Sequence, residues 1–288
     1  PSQIAAIEPA PEVPPQAAPA LTPEREGERE EVILLAIAMP DYRPAYLDEI
    51  TIQEGNDDLA AASRRTLSGT ATLCCDAGSP PAEVLSQALQ TQKDQVIFVP
   101  SGGTRYIAFN TTVAPFDNLN VRKAIIAAMD RNALRLTRGG EVIGDIANGW
   151  IPPGIPGFEE AGGLTQNTDL DFLAKPEGDL AVAKKSMAAA AAEGLPITDG
   201  KWTGSDRILT IATNADPGKK TAESFQGQIE EKLGFKLNFR PVPQDTLYTK
   251  FCGVPSQKVA ICPNVGWFKD FSDPQSMLDP TFNGKNII

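Results

Sequence analysis

The chain has 288 residues, enough for two domains or one large domain with a hydrophobic core of its own. Acidic residues outnumber basic ones by 37 to 26, giving a formal net charge of −11 that argues against a nucleic-acid partner. Because histidine is absent, His-dependent triads and histidine-ligated metal sites are excluded, and we expect no cofactor and no metal.

The first 42 residues differ in composition from the rest of the chain. Prolines and alanines over residues 1–23 and a mixed-charge block over residues 24–31 predict a partly disordered arm over residues 1–42. The apolar run from Val32 to Met39 predicts a strand, since eight residues are too few to cross a bilayer. Since the chain starts at Pro1 and not at methionine, we expect a processed or cut chain that could lack its leader.

Turn and cap residues divide residues 45–109 into short elements. The Asn56-Asp57-Asp58 segment supplies an N-cap, and Ser79-Pro80-Pro81 is a typical helix start. The predicted elements are a strand over Ala45 to Gln53, a helix over Leu59 to Leu67, a helix after Pro81 with Val84, Leu85, Ala88 and Leu89 on one face, and strands over Val96 to Val99 and Thr104 to Phe109.

The second half of the chain predicts an α/β segment. A strand, a helix and a further strand between residues 208 and 241 are typical of a parallel crossover. The predicted elements are a helix over Val121 to Thr137, a constrained loop over Trp150 to Gly163, a helix over Asp179 to Glu193, the crossover elements 208–212, 219–233 and 235–241, a short helix over Asp245 to Phe251 and a strand over Lys258 to Ile261.

The four cysteines form two pairs of different character. Cys252 and Cys262 flank a turn, and we favour a structural disulfide, which implies an oxidising compartment, over two buried thiols. Cys74 and Cys75 are adjacent in the chain, and two ordinary thiols are favoured over a strained vicinal disulfide.

The residues give little support to an enzyme. No G-x-S-x-G, S-x-x-K or phosphate-binding glycine motif occurs. Asp270 and Asp273 fit a turn beside a proline better than a catalytic carboxylate pair. Trp267 and Asp270, with nearby phenylalanines, are as consistent with a ligand pocket as with a core tryptophan and a turn acid.

Several longer motifs of this chain are distinctive when they are taken together. They are Arg43 to Ile50, Tyr106 to Thr112, Pro115 to Ile125, Met129-Asp130-Arg131, Ile151 to Gly154, the helix over Asp179 to Gly194, Gly266-Trp267 and Asp270-Phe271 with Asp273-Pro274, and the pair Cys252 and Cys262. These motifs resemble family 5 extracellular solute-binding proteins, the peptide-binding receptors of ABC importers. The resemblance covers about residues 43–288, although residues 1–42 do not resemble the large first lobe of that family.

This resemblance implies a two-lobed α/β fold of the periplasmic-binding-protein type II class, present mostly as the second lobe with part of the first. The chain then corresponds to an interior segment of a longer receptor. The implied domains are the arm over residues 1–42, a remnant of the first lobe and hinge over 43–109, the second lobe over 110–262 and a return crossing over 263–288.

The resemblance also implies a function without catalysis. Asp270 falls on the aspartate that pairs with a peptide α-amino group, Gly266 and Trp267 fall on cleft-lining positions, and Asn110 lies near the hinge side. The implied partners are a peptide or other small solute and the permease subunits of an ABC importer, and the implied location is extracytoplasmic, as a periplasmic protein or a cell-surface lipoprotein. If the solute is not a peptide, the role of Asp270 is the first to fail.

Two other hypotheses compete with the receptor. The chain could be a truncated fragment that binds no solute, or an interaction module that acts through its proline-rich arm. It could also be a histidine-free hydrolase, which would release its peptide cleaved and not intact.

Overall fold

The computed structural model describes residues 30–33, 47–53, 58–74, 80–98 and 102–285, and it divides the chain into two compact units, Pro1–Asn56 and Asp57–Ile288. In the first unit, β1 (Glu30–Ile33) pairs antiparallel with β2 (Ile50–Gln53). The strand predicted from Val32 is therefore confirmed as far as Ile33, and its remainder lies outside the described residues together with most of the arm. The second predicted strand begins at Ile50, later than expected.

The second unit contains the remaining elements. Its helices are α1 (Leu59–Leu67), α2 (Ala82–Thr91), α3 (Leu119–Ala128), α4 (Arg131–Leu136), α5 (Leu180–Ala192), α6 (Gly218–Leu233), α7 (Gln244–Thr246) and α8 (Gln275–Phe282), with a π-helical segment over Leu247–Cys252. Its strands are β3 (Gly103–Phe109), β4 (Ile197–Thr198), β5 (Lys201–Trp202), β6 (Ile208–Thr213), β7 (Leu237–Val242) and β8 (Ile261–Phe268). No helix in the described ranges is both long enough and apolar enough to cross a membrane.

A four-stranded mixed sheet organises this unit, in the order β3-β8-β6-β7. Strand β6 runs parallel to β7 and to β8, whereas β3 runs antiparallel to β8. The predicted crossover through α6 is thus confirmed, and so are the helices predicted at α1, α2 and α5, which begin directly after Asp58, Pro81 and Asp179.

Alternate residues of β3 contribute to two hydrophobic clusters. Ile107 and Phe109 pack against the larger cluster, in which α3, α5 and α6 meet around the fully buried Phe225. Tyr106 and Ala108 pack against the smaller one, which includes residues of β6, β8 and the π-helical segment. Because successive side chains of a strand point to opposite faces, the sheet separates two cores.

The single helix predicted over Val121 to Thr137 is wrong, because the chain breaks between α3 and α4. Met129 is extended, with ψ 130°, and Asp130 begins the next helix by accepting a hydrogen bond from the Ala133 amide at 2.9 Å. The hydrophobic period continues through the break, so the pattern alone does not reveal it.

The carbonyl groups freed at the end of α3 bind other parts of the unit. The Asp179 amide donates to the Ala127 carbonyl at 2.6 Å, and Lys232 Nζ donates to the Ala128 carbonyl at 2.8 Å. Gly178 lies over this end, where a Cβ atom would come within 2.9 to 3.2 Å of three backbone carbonyl oxygens. The break therefore lets α3 dock on the segment before α5 and on α6.

Two predicted strands are also wrong. Described residues 96–98 are not a strand, and Ile97 and Phe98 are exposed. The strand predicted over Lys258 to Ile261 begins only at its last residue, because Lys258 has a left-handed φ of 48° that is incompatible with a strand. The helix predicted over Asp245 to Phe251 is replaced by α7 and the π-helical segment.

The predicted disulfide between Cys252 and Cys262 is confirmed. Its Cα atoms are 6.1 Å apart, and it joins the end of the π-helical segment to the start of β8. Cys74 is also disulfide-bonded, so the interpretation of that residue as an ordinary thiol is wrong, while Cys75 lies outside the described residues.

We expect Gly178→Ala to destabilise the unit because the new methyl group would meet backbone oxygens that cannot move freely, at a left-handed φ of 88°. The matched control is Gly194→Ala, which has a φ of 95° and no atom within 4 Å of its Cβ position. Denaturant unfolding should show Gly178→Ala to be less stable than the control by at least ~1 kcal/mol. Equal losses would show that φ alone, and not the contact with α3, sets the requirement.

Candidate functional site

Three of the four predicted ligand-binding residues lie at the carboxyl edge of the sheet. Strands β6, β7 and β8 end there and β3 begins there, and ligands of open α/β sheets bind outside the carboxyl ends of the strands. Gly266 and Trp267 lie near the end of β8, and Asp270 follows just beyond it. The sequence prediction that these three residues lie in one region is consistent with this placement.

Gly266 is constrained on two sides. A Cβ atom there would lie 2.8 Å from Cδ of Arg105, so the arginine side chain crosses directly over the glycine backbone. The Gly266 amide donates to the Tyr248 hydroxyl at 3.2 Å. Since β8 and β6 are paired only at Thr210 and Ile261, this side of β8 is not paired with β6 near Gly266.

Two further glycines, Gly102 and Gly103, determine where the chain leaves β8. At Gly103 a Cβ atom would lie 2.3 Å from the ring of Phe268, and at Gly102 it would lie 2.6 Å from the side chain of Lys269. The Lys269 amide donates to the Gly102 carbonyl at 2.9 Å. The phenylalanine and lysine side chains therefore fold back over the start of β3, which fixes the segment that carries Asp270.

Trp267 compensates for a proline inside α8. The Ser276 carbonyl would normally accept from the amide of residue 280, but Pro280 has no N–H. Trp267 Nε1 donates to that carbonyl at 2.7 Å. The polar end of this half-buried indole is thus used within the protein, and only its ring faces remain for a ligand.

Trp150 anchors α8 in a similar way. Its Nε1 donates to the Met277 carbonyl at 2.9 Å, and its ring meets Tyr106 edge to face with centroids 4.7 Å apart. The Trp150 carbonyl accepts from the Thr104 hydroxyl at 3.2 Å. The loop that contains Trp150 therefore connects β3 to α8.

The carboxylate of Asp270 is exposed and takes part in no ion pair within the described ranges. Asp273 instead accepts from the Gln275 amide at 2.8 Å at the start of α8. The turn interpretation of Asp273 is supported by this contact, and Asp270 is the carboxylate available to a cationic group.

Asn110 lies at the opposite edge of the sheet from the other three predicted residues. It follows the end of β3, its amide donates to the Ala260 carbonyl at 2.9 Å, and its Oδ1 accepts from the amide and hydroxyl of Thr112. The structure does not bring Asn110 together with Gly266, Trp267 and Asp270, and its role in ligand binding stays a prediction.

Two arginines at the carboxyl edge were missed by the sequence reasoning. Burial, together with the nearby positive charge of Arg105, lowers the pKa of Arg138 to about 10. Burial also lowers the pKa of Arg105, an effect that Tyr248 partly offsets. Nothing in the local pattern distinguishes these arginines from surface ones, since Arg138 follows a helix and precedes two glycines.

Burial also raises the pKa of Tyr106, with Tyr248 contributing in the same direction. The Tyr106 phenol is therefore a neutral hydrogen-bonding group at neutral pH.

No group of three or more cysteine, aspartate or glutamate side chains that could hold a metal ion occurs in the part of the chain that the structure describes. An open depression of about 420 Å³ lies elsewhere, between the start of α3 and the end of α5. Its walls include Pro115, Pro196 and Trp202, and it contains none of the predicted site residues.

Solved binding proteins share this fold. The structure named clavulanic acid biosynthesis oligopeptide binding protein 2 matches with a TM-score of 0.63 and 21% identity, over 85% of this chain and 42% of that chain. The structure of Listeria monocytogenes OppA bound to peptide matches with a TM-score of 0.60 and 22% identity, over 83% and 43%. The mixed sheet and its helices thus have the periplasmic-binding-protein type II fold that the sequence predicted.

The sequence itself shows the family. The family model described as "Bacterial extracellular solute-binding proteins, family 5 Middle" matches residues 30–287. The chain belongs to family 5 of the bacterial extracellular solute-binding proteins.

Curated relatives are longer than this chain. The oligopeptide-binding protein OppA of Bacillus subtilis is 27% identical over 219 residues, which are 73% of this chain and 36% of the relative. Heme-binding protein A of Haemophilus influenzae is 31% identical over 184 residues, which are 63% of this chain and 29% of the relative. The chain therefore spans about a third of the length of these relatives.

We expect Trp267→Phe to destabilise the protein by ~1–3 kcal/mol, because it leaves the buried Ser276 carbonyl without a donor. The loss should be smaller by about 1 kcal/mol when measured in Pro280→Ala, which restores a backbone N–H at the fourth position. Denaturant unfolding of both single variants and the double variant measures this coupling.

Trp150→Phe is the matched control, because its acceptor, the Met277 carbonyl, also accepts from the Thr281 hydroxyl and does not depend on residue 280. A Trp150→Phe loss that changes as much in Pro280→Ala as the Trp267→Phe loss would contradict the proposed compensation.

Proposed function

We propose that this protein is the solute-binding component of an ABC importer and that its solute is a peptide. On this proposal it captures the peptide by closure of two lobes and delivers it to a permease, and it catalyses no reaction. The proposal is supported by family membership and by the names of relatives that bind oligopeptides or dipeptides. Residues 110–262 would form the second lobe, and residues 43–109 and 263–288 would belong to the first lobe and the crossings.

The observation that carries the proposal is the unpartnered carboxylate of Asp270 at the carboxyl edge. Within a closed cleft, a carboxylate and an α-ammonium group form a charge-assisted hydrogen bond that is stronger than a pair in open water. The ring of Trp267 and the backbone of Gly266 would line the same cleft. The side of β8 near Gly266 is unpaired with β6, and an extended peptide that pairs with it would replace the bond from the Gly266 amide to the Tyr248 hydroxyl.

The chemistry of the cysteines supports an extracytoplasmic location. The Cys252–Cys262 bridge and the disulfide at Cys74 are stable in an oxidising compartment and rare in a reducing cytosol. A receptor for an importer would act there, as a periplasmic protein or a cell-surface lipoprotein.

The test uses pools of random tri- to hexapeptides and isothermal titration calorimetry with the protein. We expect binding, and we expect Asp270→Asn to weaken it about 10-fold or more, because the α-ammonium group loses its charged partner. N-acetylation of the peptides should weaken binding to the unaltered protein by a similar factor and should cause little further loss in Asp270→Asn.

Asp206→Asn is the matched control, since Asp206 is an exposed acid just before the opposite end of β6. It should leave the affinity unchanged. Recovery of cleaved peptide would support a hydrolase, and the absence of binding by every pool would contradict the peptide-receptor proposal. Binding that tolerates both Asp270→Asn and N-acetylation would show that the amine-binding role of Asp270 is wrong.

A further inference from the structure

Two asparagine-glycine pairs occur in the sequence, Asn148-Gly149 and Asn283-Gly284. In such a pair the backbone nitrogen of the glycine can attack the side-chain carbonyl carbon of the asparagine, because glycine has no Cβ to hinder the approach and leaves the backbone free to rotate. This attack is the first step of deamidation. In a folded protein it takes place where the structure allows the two atoms to meet. The two pairs therefore share one chemistry and differ in their surroundings.

The structure holds the first pair rigidly. Oδ1 of Asn148 accepts from NH1 of Arg131 at 2.8 Å, and its Nδ2 donates to the Leu164 carbonyl at 2.9 Å. Gly149 is covered by Gln166, since a Cβ atom at that glycine would lie 1.5 Å from Oε1 of Gln166. Neither the side chain nor the backbone of this pair can rotate without breaking several contacts, so we expect Asn148 to be protected.

The second pair lies open at the end of α8. Asn283 and Gly284 are both exposed, and no atom lies within 4 Å of the Cβ position of Gly284. The Gly284 amide donates to no group in the described part of the chain. Oδ1 of Asn283 accepts from the Lys285 amide at 3.0 Å, and this donor would also stabilise the negative charge that forms on Oδ1 during the attack. A free nucleophile and a polarised carbonyl group are therefore neighbours here.

We propose that Asn283 is a site of spontaneous deamidation. The Gly284 nitrogen forms a bond to Cγ of Asn283 and loses its proton, the bond from Cγ to Nδ2 breaks, and ammonia leaves with that proton, which gives a cyclic imide. Water then adds to either carbonyl group of the imide and opens the ring. Opening at one carbonyl gives aspartate, and opening at the other gives isoaspartate, in which the main chain runs through Cβ. Water is the co-reactant, and nothing is oxidised or reduced.

The modification would act on the last turn of α8. Nδ2 of Asn283 donates to Oδ1 of Asp279 at 2.9 Å, and the Asn283 amide donates to the Asp279 carbonyl at 3.2 Å. A carboxylate at residue 283 removes the side-chain donor, repels Asp279 and meets the negative end of the helix dipole. The ring of Phe282, in the same turn, contacts Trp150 edge to face with centroids 5.0 Å apart. Deamidation would therefore loosen the end of α8 that contacts Trp150.

The test is peptide mapping by mass spectrometry of the folded protein kept in a mildly alkaline buffer, with the denatured protein as the reference. Both pairs should react at similar rates when denatured, whereas in the folded protein Asn283 should react at least about 10-fold faster than Asn148. Gly284→Ala should slow the reaction at Asn283 by about 5-fold or more, because its methyl group restricts the backbone and shields the nitrogen. The methyl group itself meets no atom within 4 Å.

A rate at Asn283 in the folded protein no greater than the rate at Asn148 would overturn the proposal. It would also fail if Asn283 stayed unmodified in the folded protein while the denatured protein reacted.

Asn283→Asp reproduces one of the two products and tests the effect on α8. Hydrogen exchange measured by mass spectrometry should show the amides of residues 281–283 exchanging about 3-fold faster or more in this variant, because the new charge weakens the last turn. Asn283→Gln is the matched control, since it keeps a neutral amide and should leave the exchange nearly unchanged. Equal acceleration in both variants would show that the charge does not loosen α8.

Discussion

The antiparallel pairing of β3 with β8 is the constraint on which the rest of the second unit depends. It joins Gly103 to Phe268 and Phe109 to Ile261, segments that are more than 150 residues apart in the chain. Closing so long a loop costs conformational entropy before any contact compensates for it. The compensation comes from two hydrophobic clusters, one on each face of these strands. The candidate site lies at the end of this pairing, so it forms only when both cores are complete.

The same pairing explains why glycine and asparagine occur where they do. The extra residue in β8 places Asn264 at a left-handed φ that asparagine tolerates better than most residues. Gly218, at the start of α6, makes room for it, since a Cβ atom there would lie 2.5 Å from the Asn264 amide nitrogen. Further along the same strand pair, Gly103 and Gly266 admit side chains across the backbone. Packing requirements and site geometry are therefore met by the same few small residues.

Local signals were sufficient for much of this fold. Asp58 and Asp179 cap α1 and α5 through short-range hydrogen bonds that a sequence pattern specifies. The break after α3 could not be found this way, because its carbonyl groups are satisfied by Asp179 and Lys232 from distant segments. For the site, a family resemblance indicated Asp270, whereas the burial of Arg138 beside Arg105 depends on the assembled sheet and is not visible in the local sequence. Asn110 is the opposite case. It lies in a distinctive sequence motif, but β3 places it at the edge of the sheet opposite Asp270.

The bonds from indole groups to α8 have a consequence for spectroscopy. The chain contains three tryptophans, and two of them, Trp150 and Trp267, donate to consecutive backbone carbonyls of this helix. Indole fluorescence responds to the hydrogen bonding and hydration of the ring nitrogen. Detachment of α8, or a solute placed against Trp267, would thus alter the intrinsic emission of the protein. Trp202, which stacks on Phe235 in the larger core, provides an internal reference far from that helix in sequence.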